Sequence, residues 1–230
     1  MAFGIGAVNP ASAVKLAGTI APIVSSGVYL APVPTIRNVV QDKSVKSLPL
    51  LPYSSMIVNA FMWMTYGILK KDKNVIAPNA FGFFCALNYF YNFQKYSPKV
   101  SPTLPGSLSQ HKNSTLFMIA VTALTALLLN PTTAANIIGK TGVIFCVLLF
   151  SSPLAAMKTV VQTRNASSIP LPFTLTCILN CFLWTVYGYF DVNDFNIYFP
   201  NFLGLLSSLA QFALIMFYGT GKSGEKSLPL

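Results

Sequence analysis

Residues 32–67 read PVPTIRNVVQDKSVKSLPLLPYSSMIVNAFMWMTYG, and residues 153–188 read PLAAMKTVVQTRNASSIPLPFTLTCILNCFLWTVYG. The two stretches align without a gap at an offset of 121, and 13 of their 36 residue pairs are identical. Farther on, at an offset of 122, Pro78-Asn79-Ala80-Phe81-Gly82 pairs with Pro200-Asn201-Phe202-Leu203-Gly204. A duplicated unit of this size predicts two structural halves. In a membrane, the seam between two such halves is where a substrate site is built.

Composition decides that the solvent is lipid. The chain is 53% hydrophobic and only 9% charged, with mean hydropathy +0.60. A soluble domain carries about 25% charged residues, so this chain cannot cover a globular surface with water-compatible side chains. A net charge of +10 raises the question of nucleic acid. The basic residues are scattered between apolar runs, however, with no basic helix face or aromatic-basic platform. Loop charge in a membrane protein sets topology instead. Cys85, Cys146, Cys177 and Cys181 all lie inside apolar runs. Cys177 and Cys181 share a helix face but have no His or carboxylate nearby to complete a metal shell, so they read as small packing residues.

A bilayer core needs about 20 apolar residues per helix. Seven stretches come close: 14–39, 50–69, 75–95, 115–130, 137–162, 170–190 and 196–218. The repeat covers the first three and the last three, and the fourth has no counterpart. The expected fold is therefore an all-α membrane protein of three plus one plus three helices. A first triple-helix bundle occupies 14–95, a linker helix 115–130, and a second bundle 137–218, followed by a cytoplasmic tail, 219–230. Three spans plus one is an even number of crossings, so the two triples enter from the same side and are parallel repeats. With the N-terminus outside, ten basic residues fall on the inner side and five on the outer, which favours N-out and C-in. The Lys70–Lys73 cluster opposes this. The sequon Asn113-Ser114-Thr115 is then cytoplasmic. The apolar N-terminal stretch has no convincing cleavage site and is read as a retained helix.

No enzyme constellation is present. His111 falls in a polar loop without a partner, and the five acidic residues lie in loops or the tail. Nothing reads as a paired-carboxylate, Cys/His or serine-triad site, and no cofactor is implied. Proton-coupled carriers keep ionisable groups inside the membrane. None lies within these spans, so transport here is expected to be passive.

Neutral polar groups are what the spans hold, and they recur. Asn59/Asn180 and Asn79/Asn201 are paired by the repeat. An amide without a partner in hydrocarbon costs several kcal/mol. These four are either interhelical glue or the lining of a cavity suited to a neutral polyol. Trp63 and Trp184 each follow an Asn by four residues and share its helix face. An indole covers the C–H face of a sugar while amides bind its hydroxyl rim; the alternative is a tryptophan at the membrane interface. Pro32 and Pro153 interrupt or end long apolar stretches, while Pro52 and Pro170 stand near span starts. Proline kinks or ends a helix, so the four form either a gate or plain helix-end punctuation.

Taken in order, Leu30-Ala31-Pro32 with Thr35, Lys43-Ser44, Leu51-Pro52-Tyr53, Trp63 with Tyr66-Gly67, Asn79 with Gly82, Ser152-Pro153-Leu154, Pro170, Trp184 with Tyr187-Gly188, and Pro200-Asn201 with Gly204 resemble the SWEET family of sugar uniporters and its two MtN3/saliva repeats. The resemblance implies alternating access for mono- or disaccharides around a central pocket. It also implies a multi-pass protein of the plasma membrane, or else of an endomembrane. Homo-oligomers are compatible with it, and no nucleic acid or cofactor is. It implies sugar-binding roles for Asn79, Asn201, Trp63 and Trp184. Substrate-size roles fall to Asn59, Asn180, Val28 and Leu149, with Ser25 and Cys146 a turn further back on the same face. The gating prolines are Pro32, Pro52, Pro153 and Pro170. The ungapped repeat pairs Pro170 with Pro49, whereas the Leu-Pro-Tyr motif selects Pro52. Asn at both 59 and 180, with Leu149, narrows the pocket and predicts a monosaccharide preference. The competing readings are another exporter of the PQ-loop superfamily, carrying amino or organic acids, and a seven-helix receptor. The first wants an intramembrane carboxylate, and the second lacks a triple-helix duplication.

Overall fold

The computed structural model describes residues 9–97 and 107–219. The expected tail, 219–230, therefore lies outside the described residues from 220 onward. Among the described residues the chain forms nine α-helices and one π-helical turn. In order they are α1 (Pro10–Leu30), α2 (Val33–Asp42), α3 (Leu51–Lys70), α4 (Lys73–Tyr96), α5 (Leu108–Leu128), α6 (Pro131–Leu149), α7 (Ser151–Thr163), α8 (Leu171–Val186), the π turn Tyr187–Asp191, and α9 (Phe195–Tyr218).

Seven spans follow from these elements, because α1 with α2 and α6 with α7 are each one long apolar stretch, broken once. Pro10–Asp42, Pro131–Thr163, Leu171–Asp191 and Phe195–Tyr218 are long and apolar enough to cross a membrane. Helices α3, α4 and α5 have 20, 24 and 21 residues, the length of a span, with lower hydropathy. Helix α4 carries Asn74, Asn79, Asn88 and Asn92, which accounts for its lower value. Large apolar side chains stand exposed along the helices: Phe84 is 69% exposed, Leu127 79% and Phe217 79%. Water does not tolerate an apolar surface of that extent; lipid does. Several threonine hydroxyls within the helices are satisfied locally. Thr65 donates to Phe61 O, Thr122 to Met118 O and Thr185 to Cys181 O, each one turn back.

The duplication is written in the helix ends as well as in the spans. Asn9 starts α1 by accepting the Ala11 N–H on its side chain, with Pro10 next, and Asn130 starts α6 by accepting the Thr133 N–H, with Pro131 next. Asn at the cap and Pro at the first helical position is a strong start signal. Asp72 Oδ1 accepts from Asn74 N–H at 2.9 Å and caps α4; Asp194 Oδ1 accepts from Asn196 N–H at 3.0 Å and caps α9. Lys43 and Arg164 end α2 and α7 in the left-handed conformation, with φ 51° and 52°.

These ends correct several sequence boundaries. The first span begins at Pro10 rather than 14, the fourth at Leu108 rather than 115, and the fifth at Pro131 rather than 137. Apolar content alone misses a polar first turn closed by its own cap. Ser107 and Gln110 form a reciprocal capping box that starts α5 within the stretch read as loop. His111 is consequently on a helix, not in a loop without a partner: its Nδ1 lies 3.1 Å from Ser54 Oγ, where α5 packs on α3. The one-residue slip between the repeats falls between Gly188 and Asp194, at and just after the π turn. Gly67 to Asp72 takes five steps and Gly188 to Asp194 takes six, and the extra residue is absorbed by the π turn.

The chain divides into two compact units, residues 19–145 and residues 1–18 with 146–230, a division that passes through α1 and at the end of α6. In the unit of residues 19–145, α3 packs on α4, α2 on α4, and α5 on α3. It holds an apolar cluster of Ile36, Val39, Val45, Leu50, Tyr53, Tyr89 and Phe93. In the other unit α8 packs on α9 and α7 on α9, the same pairings one repeat later. Its cluster is Val160, Ala166, Ile169 and Ile215, of which Val160 and Ala166 stand at the repeat positions of Val39 and Val45.

Candidate functional site

Each unit holds one complete set of the sequence-predicted residues. In the unit of residues 19–145, α1 carries Ser25 and Val28, and α3 carries Asn59 and, one turn on, Trp63. Asn79 lies on α4, Pro32 at the break of the first span, and Pro52 at the start of α3. In the other unit, Cys146 and Leu149 lie on the last turn of α6, Asn180 and Trp184 on α8, and Asn201 on α9. Pro153 stands in the first turn of α7 and Pro170 caps α8.

Asn79 follows Pro78, which cannot donate a backbone hydrogen bond within α4. The Asn79 side chain folds back, and its Nδ2 donates to Val75 O at 2.8 Å. That bond fixes the amide orientation, since a flipped amide would set two carbonyl oxygens against each other. Its Oδ1 accepts from the Tyr29 hydroxyl at 2.8 Å. Tyr29 is held at its other end too, because its backbone carbonyl accepts from the Tyr89 hydroxyl at 3.0 Å. Between those anchors the Tyr29 ring lies flat against Gly82, one turn beyond Asn79, where a Cβ would run into the ring. Only glycine fits there.

Asn201 repeats half of this. It follows Pro200, and its Nδ2 donates to Ile197 O at 2.7 Å. The ring opposite Gly204 is that of Phe150, whose Cζ would stand 3.4 Å from an added Cβ, with Cys181 Sγ at 2.8 Å. Phe150 is the repeat partner of Tyr29 and lacks its hydroxyl.

The tryptophans keep matching neighbours. Trp63 meets Tyr66 edge to face at 5.5 Å, and Trp184 meets Tyr187 edge to face at 5.7 Å. Trp63 is half-buried and packs over Gly142 of α6, where a Cβ would stand 3.2 Å from its Cζ2; Trp184 is buried. Gly67 and Gly188 allow the next helix to approach, with added Cβ atoms at 3.0 Å from Ile76 N and 2.8 Å from Tyr198 N.

The prolines are less uniform. Pro32 caps α2 after a two-residue break, with φ −74° and ψ −10°. Pro153 lies inside α7, and the break before it is at Phe150 alone, whose carbonyl accepts from Leu154 N–H at 3.1 Å. Pro52 is the second residue of α3. The second residue of α8 is Pro172, while Pro170 stands just outside that helix with ψ 113°. Pro172 thus occupies the helix position that Pro52 occupies, a correspondence hidden because the two helices start one residue apart relative to the repeat.

Tyr29, Gly82, Phe150, Gly204 and Pro172 are absent from the sequence-derived set of site residues. Tyr29 and Phe150 could have been found by looking for repeat positions that differ by one group, and Gly82 and Gly204 as an identical pair at the offset of 122.

The family model described as a sugar efflux transporter for intercellular exchange matches residues 15–101 and 136–223, one match per repeat. The bidirectional sugar transporter SWEET11 of Arabidopsis thaliana is 31% identical over 216 residues, covering 92% of this chain and 74% of the relative. The bidirectional sugar transporter NEC1 of Petunia hybrida is 32% identical over 216 residues, covering 93% and 80%. Among solved structures, a eukaryotic SWEET transporter superimposes with a TM-score of 0.80 at 24% identity, covering 91% of this chain and 98% of that one. The fold is therefore that of seven membrane helices arranged three plus one plus three. With both repeats matched and relatives aligned along nearly its whole length, the chain belongs to the MtN3/saliva family of sugar efflux transporters, the SWEETs.

Proposed function

We propose that this integral membrane protein is a passive, bidirectional sugar uniporter that works by alternating access and prefers monosaccharides. The observation that carries the proposal is the recurrence, in both repeats, of an amide clamped by its own helix beside a glycine that seats an aromatic ring. Asn79, Asn201, Trp63 and Trp184 are assigned to the sugar. Asn59, Asn180, Val28 and Leu149 set the room available to it, with Ser25 and Cys146 behind them. Pro32, Pro52, Pro153 and Pro170 are assigned to the gate. Passive transport is supported by where the carboxylates stand: Asp42, Asp72, Asp191 and Asp194 all lie at helix ends, and Asp72 and Asp194 are engaged as caps. A proton relay needs such a group within the span.

The proposed location is the plasma membrane with the N-terminus outside, by the excess of basic residues on the inner side. Of that inner set, Lys99, Lys222 and Lys226 lie outside the described residues. Counterflow of labelled glucose, fructose and sucrose in proteoliposomes tests the function. Glucose or fructose is expected to exchange faster than sucrose, without a pH gradient. Faster sucrose exchange overturns the size preference, and exchange that requires a proton gradient overturns passive transport. A glycan on Asn113 after expression in a eukaryotic host overturns the orientation.

A further inference from the structure

We propose that Tyr29 is a positioning residue of the sugar site, and that it makes the two repeat-related asparagines unlike in polarity. The inference rests on the assignment of Asn79 and Asn201 to the sugar. An asparagine side chain has two N–H donors and one carbonyl oxygen. In both repeats one N–H is spent on the carbonyl a turn back in the same helix. In the first repeat the Asn79 oxygen is engaged by the Tyr29 hydroxyl, so the group left to offer is its second N–H. In the second repeat, phenylalanine stands where that hydroxyl would come from, and among the described residues nothing donates to Asn201 Oδ1. Asn201 therefore offers its carbonyl oxygen as well as its second N–H. A sugar hydroxyl can donate or accept, so each one can satisfy either group. Asn79 takes a hydroxyl chiefly as acceptor, whereas Asn201 can also take one as donor.

The geometry around Tyr29 suits that role. Its hydroxyl, its ring and its backbone carbonyl are each engaged, by Asn79, Gly82 and Tyr89 respectively. A ring held at three points fixes the amide it bonds to; a merely space-filling ring needs only the contact with Gly82. Phe150 provides the internal control, since it keeps a ring against Gly204 without a hydroxyl.

Deoxyfluoro sugars read this directly, because a fluorine in place of a hydroxyl removes the donor and keeps a weak acceptor. Glucose and a series of monodeoxyfluoro-glucoses are transported by proteoliposomes of the wild type, Tyr29→Phe, Phe150→Tyr, Asn79→Ala and Asn201→Ala, with melting curves of each protein. Tyr29→Phe is expected to raise the KM for glucose about fivefold, the scale of one net hydrogen bond, with the maximal rate and the melting temperature nearly unchanged. It is also expected to alter the penalty for fluorine at one ring position. Phe150→Tyr, which brings a hydroxyl to Asn201, is expected to alter it at a different position. A raised KM with an unchanged fluorine profile overturns the positioning role, and so does a Tyr29→Phe protein that matches the wild type while Asn79→Ala and Asn201→Ala fail. Unchanged transport in all four variants overturns the sugar site itself.

Discussion

The first repeat ties its membrane asparagine to a tyrosine, and the second has a phenylalanine, facing Gly204, at the repeat position of that tyrosine. Several features around the two amides are matched: the preceding proline, the bond to the carbonyl one turn back, the glycine three residues on and an aromatic ring facing it. The break in the first span of each repeat differs in the same restrained way. In the first repeat two residues leave the helix and the Tyr89 hydroxyl serves the Tyr29 carbonyl. In the second one residue leaves it, and Leu154 N–H serves the Phe150 carbonyl.

The most severe way to break the comparison is to fill the glycines. Gly82→Ala drives a methyl into a ring held at both ends, and overpacking of this kind costs about 1–3 kcal/mol. Loss of most glucose counterflow and a clear drop in melting temperature are expected. In Gly204→Ala the nearest group is a thiol, so adding Cys181→Ala is expected to restore the melting temperature. Equal effects of the two alanines, without rescue in the second repeat, would contradict the difference in how the rings are held. Next in size is the exchange itself. The double variant Tyr29→Phe with Phe150→Tyr moves the hydroxyl to the other half, and glucose counterflow within about threefold of wild type is expected, each change alone being worth one net hydrogen bond. A double variant worse than either single change would show that the halves are unequal for some other reason.

The π turn sharpens the comparison further. Deleting Phe190, which is 67% exposed, returns the second repeat to the register of the first. The first repeat reaches its Asp cap without the extra residue, so the variant is expected to fold, measured by monodispersity in detergent, and to transport more slowly. Failure to fold would mean that the insertion is needed for packing in its own unit. The smallest effect is expected at the caps, where replacing Asp by Ala costs about 1 kcal/mol. Asp194→Ala should lower the melting temperature more than Asp72→Ala, because Asp194 is 6% exposed and its orphaned N–H groups find less water. The reverse order would contradict this reading of the two helix starts.

Much of this was legible in the sequence because lipid imposes simple demands. Span length, the scarcity of charge and the ungapped identity from Pro32 to Gly67 were enough for the helix count and the three-plus-one-plus-three plan. The amides and indoles stood out because buried polar groups are rare in hydrocarbon. What was missed had weaker signals. Asn9-Pro10 and Asn130-Pro131 are themselves a repeat pair at an offset of 121, yet they lie in polar turns that a search for apolar runs skips. Asp72 and Asp194 looked like loop charges, since a cap is defined by backbone N–H groups that a sequence does not display. The π turn could be seen only as a change of offset. Tyr29 was overlooked because identities were sought, and its meaning lies in a difference.

The central proposal is that the duplicated amides, Asn79 and Asn201, bind the sugar. Glucose counterflow in proteoliposomes by Asn79→Ala and Asn201→Ala, beside the wild type, tests it most directly. Each variant is expected to lose at least about tenfold in initial rate at sub-saturating glucose, the scale of a lost hydrogen bond with its partner left unsatisfied, while keeping a monodisperse fold. Wild-type exchange by either variant would contradict it.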